Sequence, residues 1–174
     1  MDFCLTYHAT MTARSATPAD AGAMAEIYNQ GIEDRLATFE TRLRSAEDIR
    51  AWFDDRHPII VVEQNQEVVA FAATSGYRPR ACYDGIAEFA IYVERGHRRR
   101  GAGRLAFEEL IQAAESAGYW KLLSRVFTDN IGSLALLGSL GFREVGIYEK
   151  HGRLDGVWRD VVIVERLIPA NLQR

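Results

Sequence analysis

The stretch Ile86-Ala87-Glu88-Phe89-Ala90-Ile91-Tyr92-Val93, then Arg98-Arg99-Arg100-Gly101-Ala102-Gly103, then the run from Arg104 to Ala117, sets the reading of this chain. The first segment is rich in β-branched and aromatic residues, and the last carries Ala106, Phe107, Leu110, Ile111 and Ala114 along one helical stripe. Glycines mark the turn between them, so the order is strand, turn, helix. The start of a helix leaves several N–H groups unpaired and gathers partial positive charge, which makes a seat for a pyrophosphate. Gly101 and Gly103 let the main chain come close to such a ligand and adopt dihedrals closed to other residues. Many glycine turns merely connect a strand to a helix, so the flanking signals must decide. No Gly-Lys-Ser or Gly-Lys-Thr is present, and the glycines fall past the middle of a short chain rather than after the first strand of a repeated βαβ array.

With 174 residues the chain suits one domain with a single sizeable core. The reading is a single domain over 12–174 behind an N-terminal extension over 1–11, which is either disordered or reflects a start site left open between Met1 and Met11. Hydrophobic residues at 48% and charged residues at 26% fit a globular protein, and no apolar run reaches the ~20 residues of a membrane span. A net charge of −3 speaks against a dedicated nucleic-acid binder, so Arg98 to Arg100 read as a local feature. Cys4 and Cys82 stand far apart without metal or redox spacing, which makes the cytoplasm the expected compartment. His8, His57, His97 and His151 show no metal-ligand spacing, so no metal is expected.

Thr17-Pro18-Ala19-Asp20 predicts the start of a helix running to about Glu33, with Met24, Ile27, Tyr28 and Gly31 on one face. Ser45-Ala46-Glu47-Asp48 predicts a second helix that buries Ile49, Trp52 and Phe53 and ends before Pro58. Residues 59–63 and 67–74 read as a hairpin, and 120–127, 143–148 and 158–167 as further strands. A short helix with Leu134, Leu137 and Leu140 follows Asp129-Asn130 and closes at Gly141. This order packs as an α/β fold, a mixed sheet with helices on both faces.

Glu88 is the anomaly. Alternation puts Ala87, Phe89, Ile91 and Val93 on one face of its strand and Glu88, Ala90 and Tyr92 on the other. A carboxylate in an apolar strand must be exposed, paired with a nearby arginine, or placed for function. Its position shortly before the phosphate-seat turn favours the last. A partly buried carboxylate becomes a better base near neutral pH, able to take a proton from a reacting group. Backbone N–H groups around Ile91 to Val93 would serve the developing oxyanion, or pair with an extended ligand, if the strand splays from its neighbour.

The Arg-x-x-Gly-x-Gly loop after a strand resembles the pyrophosphate-binding motif of the GNAT superfamily of N-acetyltransferases, and the likeness tightens to its phosphinothricin and arsinothricin N-acetyltransferase branch. It runs through Thr38-Phe39-Glu40, Arg80, Tyr83-Asp84, Glu88, Ile91-Tyr92-Val93, the glycine loop, Asn130, Gly141-Phe142 and Trp158-Arg159-Asp160. The resemblance implies a mixed, mostly antiparallel twisted sheet. It further implies acetyl-CoA as cosubstrate, Glu88 as general base, and contacts to acetyl-CoA from Ile91, Tyr92, Val93, Arg99, Arg100, Gly101, Ala102, Gly103, Arg104 and Asn130. It also implies a homodimer and a small amino-acid acceptor. Arg78 and Arg80 suit such an acceptor, because guanidinium groups hold carboxylate, phosphinate or arsinate oxygens in two-pronged fashion; by residue type alone they are equally two solvated loop arginines. Phe39, Tyr83 and Tyr92 are expected pocket walls, Phe39 fitting a core plug as well. The chain departs from the family at Asp155, ahead of Gly156-Val157-Trp158-Arg159-Asp160, where relatives often carry histidine. Other acceptors such as methionine sulfone or sulfoximine or a protein N-terminus, and a non-catalytic acyl-CoA-binding module, are the competing readings.

Overall fold

Seven strands form one sheet in the order β1-β2-β3-β4-β5-β7-β6 in a computed structural model that describes residues 10–173. They are β1 (Thr12–Ser15), β2 (Ile59–Gln64), β3 (Glu67–Gly76), β4 (Ile86–Val93), β5 (Lys121–Phe127), β6 (Arg143–Leu154) and β7 (Val157–Leu167). Every neighbouring pair is antiparallel except β4 and β5, which run parallel. A parallel pair needs a crossover, and α3 (Ala102–Ser116) supplies it. Most of the proposed extension, residues 1–9, lies outside the described residues.

The alternation of β4 places its two faces against two cores. Ala87 and Phe89 are buried against α3, whose Ala106, Phe107, Leu110, Ile111 and Ala114 are buried as the stripe predicts. Tyr92 faces the opposite layer with Met24, Ile27, Tyr28 and Ile32 of α1 (Ala21–Asp34) and Ile49 of α2 (Ala46–Arg50). Each fully buried aliphatic or phenyl side chain contributes about 1.5–3 kcal/mol of transfer free energy, so these layers hold the β4 backbone rigid between them. Helix α4 (Ile131–Ser139) adds Leu137 to the α3 side. None of the helices among the described residues is long and apolar enough to cross a membrane.

Three elements depart from the sequence reading. Strand β1 was not anticipated, because four residues are too few for a period, and it exists by pairing with β2 from Thr12↔Glu63 to Ser15↔Ile60. Helix α2 stops at Arg50, yet Trp52 and Phe53 still pack on the α1 core. Strand β6 runs six residues beyond Tyr148, the expected end, with the unexpected part polar and mostly exposed. Asp155 and Gly156, with φ of 48° and 81°, join it to β7 in the left-handed turn that suits a two-residue hairpin.

Candidate functional site

Only Ile86, Ala87 and Glu88 of β4 pair with β5, opposite Lys121, Leu122 and Leu123. Beyond them the strands diverge. Phe89 to Val93 keep their β3 partners and Ser124 to Phe127 keep their β7 partners, but the two facing edges have no ladder between them. The gap opens into a cleft of about 520 Å³ lined by both edges, by Asp34 and Leu36, by Arg98, Arg99, Gly101, Gly103 and Arg104, and by Asn130 and Leu136. An extended ligand with amides can pair along such an edge as an added strand.

The far end of the cleft is the N-terminus of α3. Gly101 has φ of 93°, a left-handed conformation that favours glycine, and its carbonyl accepts the first bond of the helix from the Leu105 N–H at 3.0 Å. Gly103 is needed for a different reason. A Cβ there would lie 3.1 Å from Val93 Cγ2, so the helix start is seated directly on β4. Arg98 braces the turn: its Nε donates to the Val93 carbonyl at 3.2 Å and its Nη2 lies 2.6 Å from Asp34 Oδ2. Arg95 holds the other oxygen of Asp34 at 2.8 Å. Burial pulls the Asp34 carboxyl upward, but Arg95 and Arg98 outweigh it and leave the group below its ordinary range. Unpaired helix-start amides, a left-handed glycine and surrounding guanidinium groups fit a diphosphate.

Among the expected cosubstrate residues, Ile91, Tyr92, Val93, Arg99, Gly101, Gly103, Arg104 and Asn130 line this cleft, whereas Arg100 and Ala102 do not. Arg100 is exposed and Ala102 is buried as the first residue of α3. Asn130 caps α4 by accepting from the Ser133 N–H at 3.2 Å, and it donates to the Leu36 carbonyl at 3.0 Å, so its side chain ties the cleft walls together. Arg104 is engaged by Glu108 and by the Ser139 hydroxyl, at 3.0 and 2.6 Å.

Glu88 sits where the ladder ends, with 22% of its side chain exposed, and its Oε2 accepts from Nη2 of Arg125 on β5. Glu88 is thus paired with a guanidinium, one of the three settings that the sequence allows. Sequence reasoning missed Arg125 and Asp34 as site residues. Arg125 lines the cleft, and the signal for it was the alternative of a paired carboxylate, which needed the β4–β5 register to find its partner.

The expected acceptor residues separate. Phe39 packs edge-on against Phe127, 4.8 Å between ring centroids, and backs the cleft wall as a plug. Tyr92 is buried between Tyr28 and Phe71, and burial first, then the neighbouring Tyr28, push its phenol up, so it stays protonated near neutral pH. Arg78 and Tyr83 line a second cavity of about 360 Å³ with Arg56, His57, Tyr77 and Ile86, while Arg80 is exposed outside both cavities. Asp155 turns the β6–β7 hairpin and holds Arg35 at 2.7 Å. Among the described residues no group of His, Cys, Asp and Glu is arranged for a metal.

Residues 24–142 match the Acetyltransferase (GNAT) family. A phosphinothricin N-acetyltransferase of Streptomyces viridochromogenes is 29% identical over 88% of this chain and 85% of its own length. An L-methionine sulfoximine/L-methionine sulfone acetyltransferase of Salmonella typhimurium is 28% identical over 89% of this chain and 93% of its own. The crystal structure of a phosphinothricin acetyltransferase from Sinorhizobium meliloti in complex with AcCoA superposes with a TM-score of 0.87 at 25% identity, covering 95% of this chain and 92% of that one.

Proposed function

Because the chain belongs to the GNAT acetyltransferase family and is an acetyl-CoA-dependent N-acetyltransferase, we propose that it acetylates the α-amino group of a small amino acid bearing a second acidic group, of the phosphinothricin or arsinothricin type. Resistance to such glutamate analogues, exercised in the cytoplasm by a homodimer, is the use this activity serves. Bound acetyl-CoA supplies an acetyl group already activated as a thioester.

One observation carries the reading. Ile86, Glu88 and Ala90 share a face of β4; Ala90 lines the large cleft, Ile86 lines the second cavity, and Glu88 lies between them. Two residues along a strand span roughly 7 Å, so Glu88, although it is in neither lining, is one strand repeat from each space. The large cleft holds the diphosphate at Gly101 to Arg104 and the linear part of the cosubstrate along the free edge of β4. Arg78, without an acidic partner among the described residues, meets the acceptor's acid in the second cavity. Glu88 takes the ammonium proton at an oxygen, and Arg125, which donates to Oε2, orients the carboxylate.

Exchange of Glu88→Gln keeps the size of the side chain and removes the base. The turnover number should fall by about 10²–10⁴-fold, while calorimetry shows acetyl-CoA binding within about twofold of the wild type. A variant that releases CoA at the wild-type rate with phosphinothricin would remove Glu88 from this role. The methionine sulfoximine and sulfone relative supports a second acceptor class, smaller in charge, for the same site. Wild-type protein that binds acetyl-CoA but releases none as CoA with any amine would instead mark an acyl-CoA-binding module.

A further inference from the structure

The second cavity holds a histidine that the proposed transfer does not use. His57 Nδ1 lies 2.5 Å from Asp54 Oδ2, the His57 N–H donates to Asp54 Oδ1 at 2.9 Å, and the ring stacks on buried Tyr119 with 6.1 Å between centroids. The side chain is 13% exposed. Its position is fixed from three sides. The other ring nitrogen, Nε2, has no hydrogen-bond partner among the described residues. It faces Gly76, where a Cβ would stand 3.7 Å away, so the missing side chain keeps this nitrogen open to the cavity wall.

The charges around it are few and can be counted. Arg56 is occupied by the Asp84 carbonyl at 3.0 Å and carboxylate at 3.5 Å. Arg78 lies over the Tyr77 ring at 5.0 Å with no acidic partner among the described residues, and Tyr83 closes the same wall. Burial draws the Asp54 carboxyl upward, yet the hydrogen bonds from His57 and Arg56 hold it below its ordinary range, so Nδ1 faces an anion. With His57 neutral, two arginines balance two aspartates; with it protonated, the cavity carries one net positive charge. A neutral imidazole bound through Nδ1–H turns a lone pair at Nε2 toward the cavity, which repels an acid oxygen. Protonation replaces that lone pair with a donor.

We propose that His57 is a specificity-determining residue whose Nε2–H, beside Arg78, binds the distal acid group of the acceptor, so that preference for doubly acidic over singly acidic amino acids rises when His57 is protonated. The proposal rests on reading the second cavity as the acceptor site. Phosphinothricin and methionine sulfone form the right pair of probes, since the distal group of the first stays anionic across the imidazole range and that of the second is neutral.

The quantity to measure is the ratio of their KM values in steady-state CoA release, from about pH 5.5 to about pH 8.5, each KM corrected for the separately titrated amine of its acceptor, so that effects of pH common to both acceptors cancel. For the wild type, preference for phosphinothricin should fall about tenfold across that span, and in His57→Gln the ratio should become flat with pH. A flat ratio in the wild type, or a fall that persists in His57→Gln, overturns the proposal. Arg78→Ala separates this from the acceptor-site reading: if it abolishes the preference and His57→Gln leaves the pH dependence intact, the cavity binds the acceptor and His57 has no part in it. If His57→Gln does not fold, NMR titration of the wild-type imidazole decides: a midpoint raised by about half a unit or more with phosphinothricin supports the contact, and an unmoved midpoint overturns it.

Discussion

Arg98, Arg99 and Arg100 are adjacent in sequence and have three different roles. Arg98 is spent on the protein, tied to Val93 and Asp34; Arg99 has φ of 58° and lines the cleft; Arg100 is exposed outside it. Substituting each by alanine should therefore give three phenotypes in paired measurements of thermal unfolding and calorimetric CoA binding. Arg98→Ala leaves a buried Asp34 oxygen without its cation and should cost about 1–3 kcal/mol of stability. Arg99→Ala should weaken CoA about fivefold with little change in melting, and Arg100→Ala should change neither. Equal effects of all three would mean that the run acts only through net charge. Which arginine does what was not legible in the sequence, because it depends on where the turn places each Cα. Glu88 was legible, since a charge inside an apolar strand stands out in one dimension. Its partner Arg125 was not, because their meeting is a matter of register between parallel strands 37 positions apart in the chain.

At the scale of elements, the turn that seats the diphosphate and the helix that borders it set opposite demands on glycine. Gly101 has open space around its missing Cβ but a φ of 93°, so Gly101→Ala meets backbone strain alone. Gly22, inside α1 and equally unobstructed, has an ordinary helical backbone, so Gly22→Ala meets only a gain in helix propensity. The first substitution should lower stability by about 1 kcal/mol and weaken CoA binding, and the second should raise stability by about 0.4–1 kcal/mol without affecting binding; chemical denaturation and calorimetry read both. Stabilisation by Gly101→Ala would show that the left-handed turn is not kept in solution. Elements with a full period were readable: the α3 stripe came out residue for residue, and the β2–β3 hairpin came out with its strands one and two residues longer than expected. Elements that owe their existence to a neighbour were not. Strand β1 is four residues laid against β2, and the distal half of β6 is Glu149, Lys150, His151, Gly152 and Arg153, whose polarity hides a strand held by β7. The divergence of β4 from β5, on which the cleft depends, has no mark in either strand's own residues.

The two edges of the whole sheet are unequal. On one side β1 ends it with four residues, a length too short to invite another strand; on the other, β6 presents twelve with no further neighbour among the described residues. That second edge is also apolar, with Val145, Ile147 and Tyr148 of β6 and Val157 and Trp158 of β7 each about half exposed or more, from 48 to 61%. An isolated chain would keep this apolar surface in water, and a long unpaired edge next to apolar side chains is the form that seeks a partner. A second copy is the occupant expected from the homodimer proposal, and it would cover the hairpin that Arg35 and Asp155 anchor beside the cleft. Size-exclusion chromatography with light scattering should therefore give the mass of two chains for the wild type at micromolar concentration. Ile147→Glu places a charge at the middle of the exposed edge without touching either core. It should shift the protein to single chains and leave CoA binding within about threefold, since burying an unpaired carboxylate in an interface costs several kcal/mol and leaving it in water costs almost nothing. A wild type that runs as a single chain, or a variant that stays paired, would place the contact elsewhere and leave β6 an edge protected only by its charged distal half.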